Sequence, residues 1–414
     1  MTSIAGHAWF RDPALQRVLS LLNDENGEAR IVGGAVRNSL MGLAVSDMDI
    51  ATTLLPEAVI DRAEKSGVKC VPTGLKHGTV TLVVDSRPFE VTTLRRDVET
   101  DGRHATVEFT RDWKADAARR DLTINALYAD RDGMVHDYVG GLQDIETATI
   151  RFIGSAADRI AEDYLRVLRF FRFFAIYGRG RPDAEGLRAS AAARKKLASL
   201  SAERVWSEMK KLLGAADPFR ALLWMRTAGV LSEILPETEK WGIDGIPGLI
   251  LAEGKFGWGP DPLLRLMAVV PPVADRLNAM AERLKMSGAE RKFLQQFADF
   301  PDVAETLSET QLRVLLYENG PEGAITRLKL KIASAVAKGD DDFEALGRIA
   351  ASGKLLKIAE TWRKPVFPLK GSDLIERGFS PGPEMGDVLN RLERAWIASD
   401  FQRSKEDLLA TLAH

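Results

Sequence analysis

The chain has one cysteine, Cys70, and only five histidines among its 414 residues. A single thiol cannot form an internal disulfide, and neither residue type is frequent enough to favour a zinc site built from Cys or His. No apolar run approaches the roughly 18 residues that a membrane-spanning helix needs. The first residues, MTSIAGHAWFRDP, lack the basic start and apolar core of a signal peptide. These absences predict a cytoplasmic protein without a membrane partner.

Charge is spread unevenly along the chain, although the formal net charge is only -2. Residues 1–150 contain 23 acidic and 17 basic side chains, whereas residues 151–220 contain 8 acidic and 15 basic ones. A basic block beside an acidic segment fits a nucleotide or nucleic-acid partner. A solvated helical surface would have the same composition, so charge alone does not decide between the two.

The pattern of apolar residues changes near residue 150. Before that point, runs rich in β-branched residues, TVTLVV at 79–84 and FEVTTL at 89–94, alternate with helical segments such as 56–66. After it, apolar residues recur every three or four positions, as they do in helices. We therefore predict an α+β fold, with a mixed sheet and helices at 1–150 followed by an all-α remainder. The clearest helices are predicted at 161–177, 202–213, 219–230 and 386–398.

Two aspartates separated by one residue, Asp47 and Asp49, follow a Gly-Gly-x-x-Arg turn in the segment IVGGAVRNSLMGLAVSDMDIATT. Alternate side chains of a strand share a face, so we expect the two carboxylates to lie together. Such a pair can hold one or two Mg²⁺ ions against a nucleoside triphosphate. The glycines Gly33 and Gly34 would let backbone amides and the positive end of a following helix approach phosphates. The pattern favours phosphoryl or nucleotidyl transfer, although such pairs also occur on surface turns.

A second cluster of polar residues is ARRDLTINALYAD, at 118–130. An arginine such as Arg120 can brace a triphosphate, and Asp121 or Asn125 can contact ribose hydroxyls. Alternatively, Asp121 is the N-cap of a helix that begins here.

A third cluster is EDYLRVLRFFRFF, at 162–174. Asp163, Arg166, Arg169 and Arg172 step by three along a predicted helix, so neighbours in the series are adjacent while its ends diverge. The alternative interpretation is a set of ion pairs within one helix, in which the acidic partners are Glu162 and Asp163.

These segments together resemble the class II nucleotidyltransferase superfamily, specifically bacterial CCA-adding tRNA nucleotidyltransferases and the related poly(A) polymerases. Three further segments are similar to family motifs and occur in the family's order: DYVGGLQDI at 137–145, SAERVWSEMKKLL at 201–213 and LKGSDLIERGFSPGPEMGDVL at 369–389. One departure is Asn38 after Arg37, where the family usually has an aspartate.

The resemblance implies a role for each candidate residue. Asp47 and Asp49 would be the catalytic metal ligands, with Mg²⁺ as the cofactor and Glu90 as a third catalytic carboxylate. The nucleotide-binding residues would be Gly33, Gly34, Arg37, Arg120, Asp121, Asn125, Asp163, Arg166, Arg169 and Arg172.

The implied activity is addition of the 3′-terminal CCA to tRNA from CTP and ATP, without a nucleic-acid template and with release of pyrophosphate. Cytosine and adenine both present an amino donor beside a ring-nitrogen acceptor, which Asp163 and Arg166 can read as acceptor and donor. Uracil and guanine invert this pattern and would leave both side chains unpaired.

The resemblance also implies four parts: a catalytic head at 1–150, a nucleotide-selecting neck at 151–215, a body at 216–300 and a tail at 301–414. The tail would bind tRNA through its acceptor arm. Alternatives are a poly(A) polymerase, a partial enzyme that adds only CC or only A, and a catalytically silent tRNA-binding protein. In CC-adding enzymes of the family a flexible loop between the metal and ribose motifs is shortened; the corresponding segment here, 98–110, is intact and favours A addition.

Overall fold

The N-terminal part of the chain is built around a mixed seven-stranded sheet. A computed structural model describes residues 2–101, 104–239, 241–304, 306–339 and 341–412, without the side chains of 97–107. The strands are β1 (Ala29–Val32), β2 (Asp49–Thr52), β3 (Lys69–Gly74), β4 (Thr79–Val84), β5 (Arg87–Thr93), β6 (Arg95–Asp101), β7 (His104–Phe109), β8 (Leu127–Ala129) and β9 (Val135–Asp137). Their order in the large sheet is β3-β4-β5-β2-β1-β8-β9, while β6 and β7 form a separate antiparallel pair.

The strands β2 and β5 pair in parallel, whereas the other neighbours in the large sheet are antiparallel. Alternation along the strands divides the core between the two faces of the sheet. On one face, Ile31 and Ile50 belong to an apolar cluster that includes residues of the first and third helices. On the other face, Val32 and Ala51 pack in a cluster with Trp113. The predicted mixed sheet is confirmed.

Helices surround this sheet and continue beyond it in the first of two compact units, Met1–Pro236. They are α1 (Pro13–Leu22), α2 (Gly34–Leu40), α3 (Pro56–Lys65), α4 (Trp113–Ala118), α5 (Gly141–Glu146), α6 (Ala156–Glu162), α7 (Leu165–Tyr177), α8 (Ala184–Ala193), α9 (Ala202–Leu213), α10 (Phe219–Thr227) and α11 (Val230–Ile234).

The second unit, Glu237–His414, is helical in its described residues. Its helices are α12 (Gly245–Phe256), α13 (Pro262–Val269), α14 (Ala274–Arg283), α15 (Gly288–Asp299), α16 (Glu309–Asn319), α17 (Glu322–Val336), α18 (Phe343–Glu360), α19 (Gly371–Ile375), α20 (Pro383–Ala398) and α21 (Lys405–Ala410). No helix in the described part of the chain is both long and apolar enough to cross a membrane. The division into head, neck, body and tail stays a prediction.

The helix predicted at 219–230 ends early, at Thr227, and Gly229, with φ 71°, separates it from α11, which begins at Val230. Two further expectations about secondary structure are wrong. A continuous helix over 161–177 is interrupted, because α6 ends at Glu162 and α7 begins only at Leu165. Asp163 between them has an extended backbone, and its carboxylate accepts a hydrogen bond from the amide of Leu165 at 3.0 Å. Such local side-chain bonds compete with helix formation. The second concerns Asp47, which precedes β2 instead of lying within it.

The flexible loop expected at 98–110 is instead mostly strand, because β6 and β7 pair there as an antiparallel hairpin. Residues 102 and 103 of that segment lie outside the described residues.

Candidate active site

Two carboxylates lie side by side where β2 begins. Parallel pairing places Ile50 opposite Val91 and Ala51 opposite Thr92, so Asp49 and Glu90 occupy matching positions on neighbouring strands. Burial raises the pKa of Asp49, and the negative charge of Glu90 raises it further, while Arg120 opposes both. This clustering of like charge suits a bound cation.

Asp47 lies two residues before Asp49 and also contributes to raising the pKa of Asp49. Its side chain is exposed and accepts a hydrogen bond from the Ser46 hydroxyl at 3.0 Å. In the described part of the chain, no three His, Cys, Asp or Glu side chains form a ready-made metal cluster. The carboxylate donors nevertheless fit Mg²⁺, which commonly takes one or two protein carboxylates and completes its shell with water and substrate phosphates.

The glycine turn connects β1 to α2. Gly33 has φ 70° and ψ −113°, a conformation that favours glycine, and α2 starts at the next residue, Gly34. A Cβ built on Gly33 would lie 3.4 Å from the carbonyl oxygen of Asn125 and 4.0 Å from Nη1 of Arg120. The turn therefore lies directly against both residues of the second sequence cluster.

Arg37 lies one turn into α2 and is buried. Its guanidinium donates to the side-chain oxygen of Asn125, to that of Asn38, and to the Tyr177 hydroxyl at 2.8 Å. Burial is the main cause of a lowered pKa for Arg37. This arginine joins α2 to the 123–125 turn and to α7.

Asp121 is not a helix N-cap, so that alternative is wrong. The short 3-10 turn that follows it spans Thr123–Asn125 and has Leu122 at its N-cap position. One oxygen of Asp121 accepts from the Leu122 amide and the Asn125 side chain, and the other accepts from Arg169 at 2.7 Å. Burial raises the pKa of Asp121, but the Arg169 charge and the hydrogen bonds outweigh it, so the net pKa is lowered.

Apart from Arg169, which pairs with Asp121, the residues of the third sequence cluster are held by partners on α6 and α9. Asp163 accepts from Nη2 of Arg204 at 2.5 Å, and Nη1 of Arg166 pairs with Glu162. The ion pair predicted between Glu162 and a neighbouring arginine is therefore present, but it joins α6 to α7 and does not lie within one helix. Arg204 lies in the segment SAERVWSEMKKLL, which resembles a family motif, but its pairing with Asp163 across 41 residues has no local signal in the sequence.

A buried aromatic ring, Phe173, lies among three arginines. The guanidinium carbons of Arg37, Arg169 and Arg172 are 5.2, 5.4 and 4.6 Å from its ring centre. Such contacts stabilise a cation against an aromatic face. Arg172 also pairs with Glu208 of α9 at 2.8 Å. Phe173 was missed by sequence reasoning because it reads as an ordinary apolar helix residue.

All ten predicted nucleotide-binding residues line one cavity of about 400 Å³ within the first unit. Its lining contains six arginines and three aspartates, so its walls carry excess positive charge. Asp47 and Glu90 are not among the lining residues. The lining consists of Gly33, Gly34, Arg37, Asp49, Arg119, Arg120, Asp121, Asn125, Asp163, Arg166, Arg169, Arg172 and Phe173.

Two parts of the chain match known families. Residues 29–151 match the family described as "Poly A polymerase head domain". Residues 182–241 match the family described as "Probable RNA and SrmB- binding site of polymerase A".

Similarity to curated and solved proteins extends over nearly the whole chain. CCA tRNA nucleotidyltransferase 1, mitochondrial, of Danio rerio is 37% identical over 401 residues, which cover 93% of this chain and 87% of that protein. The CCA-adding enzyme of Bacillus licheniformis is 33% identical, with 94% of each chain covered. The crystal structure of Bacillus stearothermophilus CCA-adding enzyme in complex with CTP aligns with a TM-score of 0.69 at 27% identity, covering 97% of each chain. The chain therefore belongs to the family of CCA-adding tRNA nucleotidyltransferases.

Proposed function

We propose that this protein adds CCA to the 3′ end of tRNA by nucleotidyl transfer from CTP and ATP, with release of pyrophosphate. The observation that carries the proposal is the single cavity at which three separate sequence clusters meet, with six arginines against three aspartates. Positive charge of this kind suits a triphosphate. The relatives named CCA tRNA nucleotidyltransferase and CCA-adding enzyme support the same activity.

The metal is proposed to be Mg²⁺, held by Asp47 and Asp49 with Glu90 as a third carboxylate beside them. When bound, the ion would lower the pKa of the attacking 3′-hydroxyl and offset charge on the leaving pyrophosphate. The adjacent positions of Asp49 and Glu90 on β2 and β5 support this assignment.

The triphosphate is proposed to lie against the Gly33–Gly34 turn and the arginines of the second cluster. Glycines at this turn allow close approach of backbone amides to phosphate oxygens. Nη1 of Arg120 faces the turn, which puts its charge at the same place. Arg37 has several internal partners, so we expect it to act through its charge and by fixing α2.

Asp121 and Asn125 are proposed to contact the ribose. They bond to each other at 3.1 Å, and both line the cavity. Arg169 fixes Asp121 from α7, which supports one defined orientation of the carboxylate.

Base selection is proposed to rest on Asp163 and Arg166, assisted by Arg169 and Arg172. A carboxylate has about four lone-pair positions, so Asp163 can accept from a base amino group while it still accepts from Arg204. The guanidinium of Arg166 would donate to the ring nitrogen of cytosine or adenine.

The tRNA partner is proposed to bind through its acceptor arm and 3′ end, and the tail at 301–414 is proposed to contribute to this binding. We propose a cytoplasmic location. The relatives from Danio rerio and Mus musculus are named mitochondrial, so the location of this protein should be tested.

The decisive experiment supplies a tRNA lacking CCA together with all four nucleoside triphosphates, and sequences the 3′ ends that form. Termini ending in CCA support the proposal. Long A tracts would instead indicate a poly(A) polymerase, the class of enzyme after which the head-domain family matched by residues 29–151 is described. Termini ending in CC would indicate a partial enzyme, and unchanged tRNA would indicate a silent binding protein.

A further inference from the structure

A buried carboxylate behind the cavity bonds to two of the arginines that line it. Asp116, on α4, is 1% exposed. Its Oδ1 accepts from Nε and Nη2 of Arg119 at 2.8 and 2.6 Å, and its Oδ2 accepts from Nε and Nη2 of Arg120 at 3.3 and 3.1 Å. Each oxygen therefore holds one guanidinium.

The same carboxylate has two further donors. The hydroxyl of Tyr128 donates to Oδ2 of Asp116 at 2.7 Å, and Nε of Arg120 donates to that hydroxyl at 3.1 Å. The backbone amide of Arg95, at the start of β6, donates to Oδ1 at 3.3 Å. Asp116 thus connects α4, β6 and β8 through bonds to one side chain.

Charge explains why a carboxylate is needed at this position. Two neighbouring guanidiniums repel each other, and a buried charge without a partner is costly. Burial raises the pKa of Asp116, but the charges of Arg120 and Arg119 outweigh it and the net pKa is lowered. The carboxylate is therefore ionised at neutral pH, and its single negative charge offsets part of the charge of the two cations.

Asp116 itself does not line the cavity, whereas Arg119 and Arg120 do. We propose that Asp116 is a positioning residue for the nucleotide, which acts by fixing Arg119 and Arg120 toward the triphosphate. This inference rests on the proposed function of the cavity. Asp116 touches no reacting atom and acts only through the two arginines.

The first test measures binding of CTP to the full-length protein by calorimetry, without tRNA. Asp116→Asn keeps the shape of the side chain but removes its charge and presents an amide donor to a guanidinium. We expect CTP to bind at least about tenfold more weakly, because charge-assisted bonds that orient both arginines are lost. The matched control is Glu253→Gln, which removes a buried carboxylate paired with Arg265 in the second unit. This control should lose stability while its affinity for CTP stays unchanged.

The second test asks whether Asp116 acts through the arginines. In a background carrying both Arg119→Ala and Arg120→Ala, Asp116→Asn should cause no further loss of CTP affinity. If Asp116 affects CTP binding only through these two arginines, removing them also removes its effect, so the changes are not additive. An equal loss in the wild-type and double-alanine backgrounds would overturn the proposal. So would unchanged CTP affinity in a folded Asp116→Asn protein.

A milder variant covers the case in which Asp116→Asn does not fold. Tyr128→Phe removes only the hydroxyl that links Asp116 to Arg120, and we expect a loss of about two- to tenfold in CTP affinity. Wild-type affinity in Tyr128→Phe would then overturn the proposal. These measurements use CTP alone and therefore test only the role of Asp116 in nucleotide binding. The experiment on tRNA lacking CCA tests the proposed activity independently.

Discussion

The carboxylate of Asp163 and the guanidinium of Arg204 meet at 2.5 Å, joining the connection between α6 and α7 to helix α9. Asp163 is the residue proposed to accept from the amino group of the incoming base. Its second oxygen is bound by the Leu165 amide. The carboxylate is therefore held from two sides before any nucleotide arrives, which is what a fixed template for base selection requires.

Asp163→Ala should relax nucleotide choice as well as slow the reaction. Cytosine and adenine lose their acceptor, while uracil and guanine no longer meet an unpaired carboxylate. We expect discrimination against UTP to fall by roughly 5- to 150-fold, corresponding to about 1–3 kcal/mol. The measurement is the ratio of kcat/KM for CTP and UTP on a tRNA lacking CCA.

The control for this change is Asp158→Ala, an exposed aspartate on the neighbouring helix α6. It should keep the wild-type ratio. If Asp163→Ala remains folded and also keeps that ratio, Asp163 serves only to pair with Arg204.

Asp47→Ala and Asp49→Ala should each abolish incorporation of both CTP and ATP while tRNA binding stays close to wild type. Loss of a metal ligand removes charge stabilisation commonly worth several kcal/mol of barrier. Turnover is measured with excess Mg²⁺, and tRNA binding by filter retention. Asp61→Ala, on the exposed side of α3, is the control and should remain active. Near-normal turnover of either variant would reject the metal assignment.

Gly33→Ala should weaken both folding and nucleotide binding. A side chain strains this backbone conformation, so we expect a loss of about 1–3 kcal/mol in the free energy of unfolding together with reduced affinity for CTP. Gly42 is the matched control, because it also has a positive φ, of 68°, but a Cβ there would meet no atom within 4 Å. Gly42→Ala should lose stability and keep its CTP affinity. Equal CTP affinity in the two variants would contradict a phosphate-binding role for the turn.

Stability in acid should depend on Asp121. Its pKa is lowered in the folded protein, so the stabilisation is fully present above the unfolded value of about 4 and is lost as the pH falls toward the folded value. Asp121→Asn should therefore be less stable at neutral pH, by about 1–3 kcal/mol because Arg169 keeps partial contact with water. Its urea midpoint should also fall less steeply below about pH 4. Parallel acid profiles for the variant and wild type would argue against this role.

Periodicity allowed much of the fold to be predicted. The strand TVTLVV coincides with β4, and the helix predicted at 202–213 coincides with α9, because each has a clear apolar period. The break between α6 and α7 could not be predicted from spacing. Residues three apart look continuous in sequence, yet the bond from the Leu165 amide to Asp163 interrupts the helix.

Site residues that lie within one sequence motif could be predicted. Contacts between a motif and a distant segment could not. Asp121 and Arg169 each lie in a recognised motif. Asp116 precedes its two arginines by three and four residues, a helical spacing that suggests ion pairs. Its bond to Tyr128, however, depends on the path of β8, which no local pattern reveals.

The parallel pairing of β2 with β5 determines where insertions and deletions can be tolerated. Asp49 and Glu90 are neighbours through strand register, and the chain between them makes an excursion through α3, β3 and β4. Insertions or deletions in the turn after α3 leave that register intact. A single codon inserted within β2 would turn the side chains beyond it to the opposite face of the sheet. Among related sequences, differences in length should therefore occur in the segment between β2 and β5, which contains α3, β3 and β4, and be absent from the two strands themselves.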